Sequence, residues 1–180
     1  MLTAAVRLFN THGYDATSMF DIAESLGITK STLYHHVSSK EQLLTMAVDQ
    51  ALGALEEAAR EALDSPDPAT VRLRRLIRRS VLVLAERLEF VTLMLRVHGN
   101  TVAEQHAVDR RRAFDRIVTD LMKQAQAEGG VRADVDAATA ARLIFGMVNS
   151  LIEWYKPDRG VPDSIADTVS DLAFDGLRTH

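Results

Sequence analysis

Apolar residues recur with helical spacing along nearly the whole chain, and polar, glycine and proline punctuation divides it into a succession of amphipathic helices. Met19, Ile22, Ala23 and Leu26 stand at i, i+3, i+4 and i+7, the spacing of one buried helix face. Thr17 or Ser18 can cap that helix, since a short side-chain oxygen accepts from an otherwise orphaned first-turn N–H. Gly27 permits the backbone conformation that ends it. Thr29 is placed to cap a second short helix, in which Leu33 and Val37 face the first and Lys30, Ser31, Thr32, Tyr34, His35 and His36 are left free. Ser38 with Glu41 reads as a capping box opening a helix that runs to about Leu63. Ser65-Pro66-Asp67-Pro68 breaks it, with Asp67 as the next cap and Pro68 in the first helical position. Further helices are expected over Phe90 to His98, from Val102 to Gly129-Gly130, from Asp136 to Pro157, and from Pro162 onward. No stretch alternates in the manner of a strand. The fold class is all-α.

Two short helices around a glycine turn form a helix-turn-helix, and the free face of the second suits a major groove. Its Lys, Ser, Thr and His side chains can read donors and acceptors on base edges, and threonine methyls can touch thymine. A solvated face on an ordinary helical hairpin is the other reading of this spacing.

The residues themselves separate the two. Over residues 2 to 46 the chain resembles the amino-terminal domain of the tetracycline-repressor (TetR) family of transcriptional regulators. Matches at fixed offsets include Ala4-Ala5, Leu8-Phe9, Gly13-Tyr14, Ala16-Thr17, Asp21-Ile22-Ala23, Leu26-Gly27, Lys30, Leu33-Tyr34 and Lys40-Glu41. The resemblance implies that Thr29, Lys30, Ser31, Thr32, Tyr34 and His35 belong to the recognition helix and its cap. It also implies that Thr17, Ser18 and Lys40 lie where the family contacts phosphates. Phe20 departs from the family, which often carries a basic residue there. Residues 1 to 50 hold three Lys/Arg against five Asp/Glu, a poor balance for neutralising phosphates. Relatives carry several further residues, often basic, before that point in the first helix, so the expectation is that an upstream arm is absent from this numbering or that the start was assigned too late.

Composition narrows the classes. A net charge of −4 confines any DNA contact to a local face. The absence of cysteine removes disulfides and thiolate metal sites and fits a cytoplasmic location. No apolar run approaches the roughly 20 residues of a membrane span, so no membrane partner is expected. Glu104 and His106 are two apart and point to different sides of a helix, and His98 stands alone. No metal, cofactor or catalytic residue is expected, and the chain is not read as an enzyme.

The division expected is a DNA-binding domain over 1–46 and an effector-binding and dimerisation domain over 47–180. Residues 138 to 155 are apolar over more than one stripe, so that helix needs covering on several sides. By resemblance the family dimerises through its last two long helices. Ala138, Ala141, Phe145, Gly146, Ser150, Val169 and Leu172 are therefore expected at a homodimer interface; the centre of a monomeric bundle is the other reading. Residues 129 to 160 resemble, less specifically, a TetR subgroup that responds to acyl-coenzyme A thioesters, through Phe145 to Asn149 and Trp154 to Pro157. An acyl- or aryl-coenzyme A thioester effector would need an apolar cavity and cations for its phosphates. Phe90, Met94, Phe114, Leu121 and Trp154 are candidates for the first, and the runs Arg72 to Arg79 and Arg110 to Arg112 for the second. Ordinary core and a solvated basic face are the bland readings of the same residues.

The expectation is a ligand-responsive regulator, a repressor released from a palindromic double-stranded operator by a small apolar effector. An effector-free DNA-binding protein and a helical protein-interaction module are the alternatives.

Overall fold

The computed structural model describes residues 1–157 and 160–177, and ten helices and no strand are found among them. They are α1 (Leu2–His12), α2 (Met19–Ser25), α3 (Lys30–His36), α4 (Lys40–Asp64), α5 (Ala69–Glu86), α6 (Leu88–Arg96), α7 (Val102–Ala127), α8 (Ala137–Asn149), α9 (Leu151–Trp154) and α10 (Pro162–Leu177). The all-α reading holds. Two compact units emerge: Met1–Gly53 with Arg87–Arg110, and Ala54–Glu86 with Arg111–His180.

In the first unit α1 packs against α2 and α6, and α2 against α3. Ala5, Val6, Phe9, Ile22, Leu33, Leu43 and Leu44 make its core, with Phe9 and Tyr14 meeting edge to face at 5.2 Å between ring centres. In the second unit α5 is central and packs on α8, α9 and α10. Leu73, Leu76, Ile77, Val81, Leu121, Met122, Ile144, Val148, Val169 and Phe174 fill that core. A Cβ on Gly130 would collide with the Thr70 side chain, so any larger residue there requires Thr70 to move.

Three local expectations are corrected. The cap of α4 is Ser39, whose Oγ accepts from Gln42 N–H at 3.2 Å, while Gln42 Oε1 receives Ser38 N–H at 2.6 Å. The capping pair is therefore one residue later than Ser38 with Glu41. At α5 the Ala69 N–H donates to Glu128 Oε2 at 2.6 Å, whereas Asp67 Oδ2 receives Ser65 Oγ and Arg75 Nη2, each at 2.9 Å. The helix expected to run unbroken from Asp136 divides at Ser150, whose Oγ donates back to Met147 O at 2.7 Å, the local bond that bends helices at serine. The cap at Asp136 and the helix start at Pro162 fall where the pattern placed them.

Candidate nucleic-acid interface

Ser18 opens α2 with a complete capping box. Its Oγ accepts Asp21 N–H at 3.2 Å, and Asp21 Oδ2 receives Ser18 N–H at 2.7 Å and Ser18 Oγ–H at 2.8 Å. Those bonds, the Ser18 backbone N–H first, hold the Asp21 carboxyl below its usual range. The helix stops in a Schellman arrangement: Gly27 N–H donates to Glu24 O at 3.0 Å and Ile28 N–H to Ala23 O at 3.1 Å. Gly27 has φ +65°, a backbone that glycine adopts without strain. The chain thus re-enters a helix within three residues. Thr29 caps it, accepting Thr32 N–H at 3.1 Å.

α3 is seven residues long and rests on one fully buried side chain, Leu33. Lys30, Ser31, Thr32, Tyr34, His35 and His36 are all exposed. Lys30 Nζ lies 5.7 Å from the Tyr34 ring centre, so cation and ring share one side of the helix. The face is a contiguous set of hydroxyl, ammonium, phenol and imidazole groups. Such a set can donate to and accept from base edges.

Two residues expected at phosphates are turned inward. Thr17 is buried, and its hydroxyl donates to Gly13 O at 2.8 Å. Lys40 Nζ donates to Tyr14 O at 2.9 Å and Asp15 O at 3.3 Å and lies over the Tyr14 ring. Ser18 remains exposed, and Phe20 is 59% exposed beside it.

In the second unit a pocket of about 300 Å³ lies between α7 and α8. Asp115, Val118 and Thr119 line it from α7, and Ala138, Ala141, Arg142, Phe145, Gly146 and Asn149 from α8. Phe114 is buried and meets Phe145 edge to face at 5.4 Å; Leu121 is fully buried. Burial raises the Asp115 carboxyl above its usual range, against the opposing pull of Arg111, Arg142 and Arg116. Trp154 is 57% exposed and lines a shallower groove with Met147, Ser150, Ile165 and Leu172. Phe90 is half-buried and Met94 buried, both in the first unit. The five expected effector contacts are therefore not brought into the α7–α8 pocket. Its polar groups, Asp115, Arg142 and Asn149, carry no motif that sequence reasoning could have found.

The arginines of α5 are committed to neighbours. Arg74 pairs with Asp171 at 2.7 Å, Arg75 with Asp67 at 2.9 Å, Arg78 with Asp163 and Asp167 at 2.6 and 2.8 Å, and Arg79 with Glu86 at 3.0 Å. This is the solvated, carboxylate-paired face. It is not the cationic mouth that the arginine run also suggested. On α8 and α10, Ala138, Gly146, Ser150 and Leu172 are exposed, Phe145 is half-buried, and Ala141 and Val169 are buried. Leu143 adds a further large apolar surface at 70% exposure.

Residues 1–46 match the family described as bacterial regulatory proteins of the tetR family, and residues 66–177 match the tetracyclin repressor-like C-terminal domain. The chain belongs to the TetR family. A member of the TetR transcriptional regulator family from Streptomyces coelicolor A3, SCO3833, is 47% identical at a TM-score of 0.89, with 99% of this chain and 90% of that one covered. AibR, solved in complex with isovaleryl coenzyme A and operator DNA, is 30% identical at a TM-score of 0.80, with 96% and 95% covered. The HTH-type transcriptional repressor KstR2 of Rhodococcus jostii is 25% identical over 98% of this chain and 89% of its own length. This TetR-family chain is accordingly a helix-turn-helix transcriptional regulator.

Proposed function

We propose that the protein is a homodimeric repressor that sets α3 of each protomer into successive major grooves of a roughly palindromic operator, and that a small effector releases it. The observation that carries this reading is the exposed row Lys30, Ser31, Thr32, Tyr34 and His35 mounted on a fully buried Leu33. Two such heads on a twofold axis read half-sites about 34 to 36 Å apart, or a multiple of that. Thr29 and Ser18 support the heads by fixing the starts of α3 and α2. Lys30 is the phosphate-seeking cation on the face, and Lys40 adds its remaining N–H while held against Tyr14.

The twofold contact uses α8 and α10. Leu143, Leu172 and Trp154 are large apolar groups in water on a single chain, and Gly146 has open space over it where a partner helix can approach closely. Ala138, Ala141, Phe145, Ser150 and Val169 complete or support that surface.

The effector is an acyl- or aryl-coenzyme A thioester, bound by the second unit. The α7–α8 pocket has an apolar floor at Val118, Ala141 and Phe145 and the Arg142 guanidinium at its wall, which suits an acyl group with an anionic tail outside. Phe114 and Leu121 stiffen that floor from the core, and AibR, which shares 30% of its residues with this chain, was solved with a thioester of this class. Regulation is by binding, without catalysis, in the cytoplasm where operator DNA lies; no helix among the described residues is long and apolar enough to cross a membrane. Because effector and operator weaken each other's binding equally, release is graded with effector concentration.

Operator selection from random duplexes, followed by fluorescence anisotropy titrated with thioesters, the free acids and planar cationic drugs, tests the whole reading. Release by thioesters alone is expected. Binding to DNA with no response to any ligand would leave an effector-free DNA-binding protein, and no salt-dependent DNA binding would leave an interaction module.

A further inference from the structure

Five of the six histidines, His12, His35, His36, His98 and His106, belong to the first unit and are exposed; the sixth, His180, lies outside the described residues. That unit carries six Lys/Arg against eight Asp/Glu. Most of its fixed cations are engaged within the chain. Arg7 pairs with Glu89 and Arg110 with Asp49, Arg87 donates to Gln50, Arg96 to the Asn10 carbonyl, and Lys40 to the Tyr14 and Asp15 carbonyls. Lys30, beside its own Tyr34 ring, is the one of the six with no carbonyl or carboxylate partner among the described residues. Affinity for duplex DNA depends on how many phosphates a protein neutralises, and one free lysine in each reading head neutralises few.

Histidine can make up the shortfall, because imidazole is the side chain whose charge ordinarily changes between pH 5 and 8. His35 belongs to the base-reading row, whereas His12 and His36 have no role in it. His36 ends α3 and His12 ends α1, so both stand in the last turn of a helix, where the carbonyl end suits a cation. His12 is also near enough to Asp21 for its charge to act on that carboxyl, behind the larger effect of the Ser18 bonds. It therefore lies beside the start of α2, where Ser18 is exposed. The charged groups on the elements packed against α1 and α3 are Asp21 and Glu24 of α2 and Glu89 and Arg96 of α6, with Lys40 and Glu41 following at the start of α4. Asp15, His98 and Glu104 come near His12 from the adjoining turns. Arg7, Lys30 and the amino terminus lie on the two helices themselves. Of these, Asp21, Glu24 and Glu41 are carboxylates in no ion pair, and they oppose phosphate until a further cation offsets them.

We propose that operator binding takes up protons at His12 and His36, so that the hold of this protein on DNA tightens as pH falls and loosens as it rises. The inference rests on the operator reading given above. In the charged form each imidazolium brings a donor and a positive charge toward the DNA backbone. In the neutral form the head offers Lys30 amid a surplus of carboxylates. Proton and operator then strengthen each other's binding, the converse of effector and operator.

Fluorescence anisotropy of the full chain on a duplex selected from random sequence, at pH 6, 7 and 8 and fixed ionic strength, tests the proposal. Affinity is expected to fall at least tenfold from pH 6 to pH 8. The slope of log affinity against log salt should be steeper at pH 6, by about 0.9 for each imidazolium at a phosphate. His12→Gln combined with His36→Gln should shrink the pH effect to less than threefold and leave the affinity at pH 8 near that of the wild type. His106→Gln, in the same unit but outside the reading head, should leave the pH effect whole. All three positions are exposed, so the variants should fold, as circular dichroism melts can verify. Equal affinity at pH 6 and pH 8 would overturn the inference and leave the operator reading standing. A pH effect that survives the double substitution, or that vanishes with His106→Gln, would do the same. Absence of DNA binding at every pH would overturn both.

Discussion

Lys40 stands with Nζ 4.5 Å from the centre of the Tyr14 ring while donating to the carbonyl of that same tyrosine at 2.9 Å. A lysine expected at phosphate is thus also an internal tie between α4 and the α1–α2 turn.

Lys40→Ala should therefore cost stability as well as DNA affinity. Losing a cation–π contact and charge-assisted hydrogen bonds at a half-buried site amounts to about 1 to 2 kcal/mol. Urea unfolding measures it directly. An unfolding midpoint equal to wild type would show that the tie contributes nothing and that Lys40 acts on DNA alone.

Substitutions on α3 should separate into two kinds. Lys30→Ala should weaken binding to every sequence and lower the slope of log affinity against log salt by about 0.9. Ser31→Ala, Thr32→Ala and His35→Ala should instead change base preference, at roughly 1 to 3 kcal/mol where a direct contact is lost. Competition binding on a set of single-base operator variants distinguishes them, and uniform weakening by all four would remove the base-reading role.

Gly146→Arg and Leu172→Arg should produce monomers. Each puts a charge into the proposed α8–α10 contact, where burial without a partner is strongly unfavourable. Light scattering at micromolar concentration is the check, with operator affinity falling in parallel. A variant that stays dimeric would move the interface elsewhere.

Acid should loosen the helix starts before the core. Asp21 and Asp136 are held below the usual carboxylate range, Asp21 by Ser18 and Asp136 by Thr139. A lowered folded pKa contributes stability that is present above the unfolded value, about 3.9, and is lost as pH falls through the folded value. Asp115 runs the other way: burial raises it, so its charged form is disfavoured above its folded pKa. Asp136→Asn should lower Tm at pH 7, with the deficit shrinking only as pH falls through the lowered folded pKa of Asp136, whereas Asp115→Asn should raise Tm at pH 7 and lose that advantage in acid. Thermal melts across pH 3 to 8 test both signs.

Much of the reading head was legible because its signals are local. Leu26-Gly27, Thr29 and Leu33 act within one or two turns of themselves, and the pattern placed each correctly. Thr17 and Ser18 were not separable, because both offer a hydroxyl and the choice depends on where the Gly13 carbonyl comes to lie. The inward turn of Lys40 rests on partners 25 and 26 residues away. The α5 arginines were equally undecidable, since Arg74 and Arg78 find carboxylates 85 to 97 residues further on. The division at Ser150 escaped because an apolar stripe continues across it. What the chain does to itself over long separations leaves little trace in spacing.

The seven residues of α3 form fewer turns than a free helix needs to persist in water, where about 12 to 15 residues are marginal. Its order is lent by the seat of Leu33, so the reading surface exists only while that one side chain is docked. Amide protons of α3 should then exchange with deuterium well before those of α5 in the free protein. A cognate duplex, by holding the helix from outside, should slow that exchange, so protection of α3 reports operator recognition without any label on the DNA.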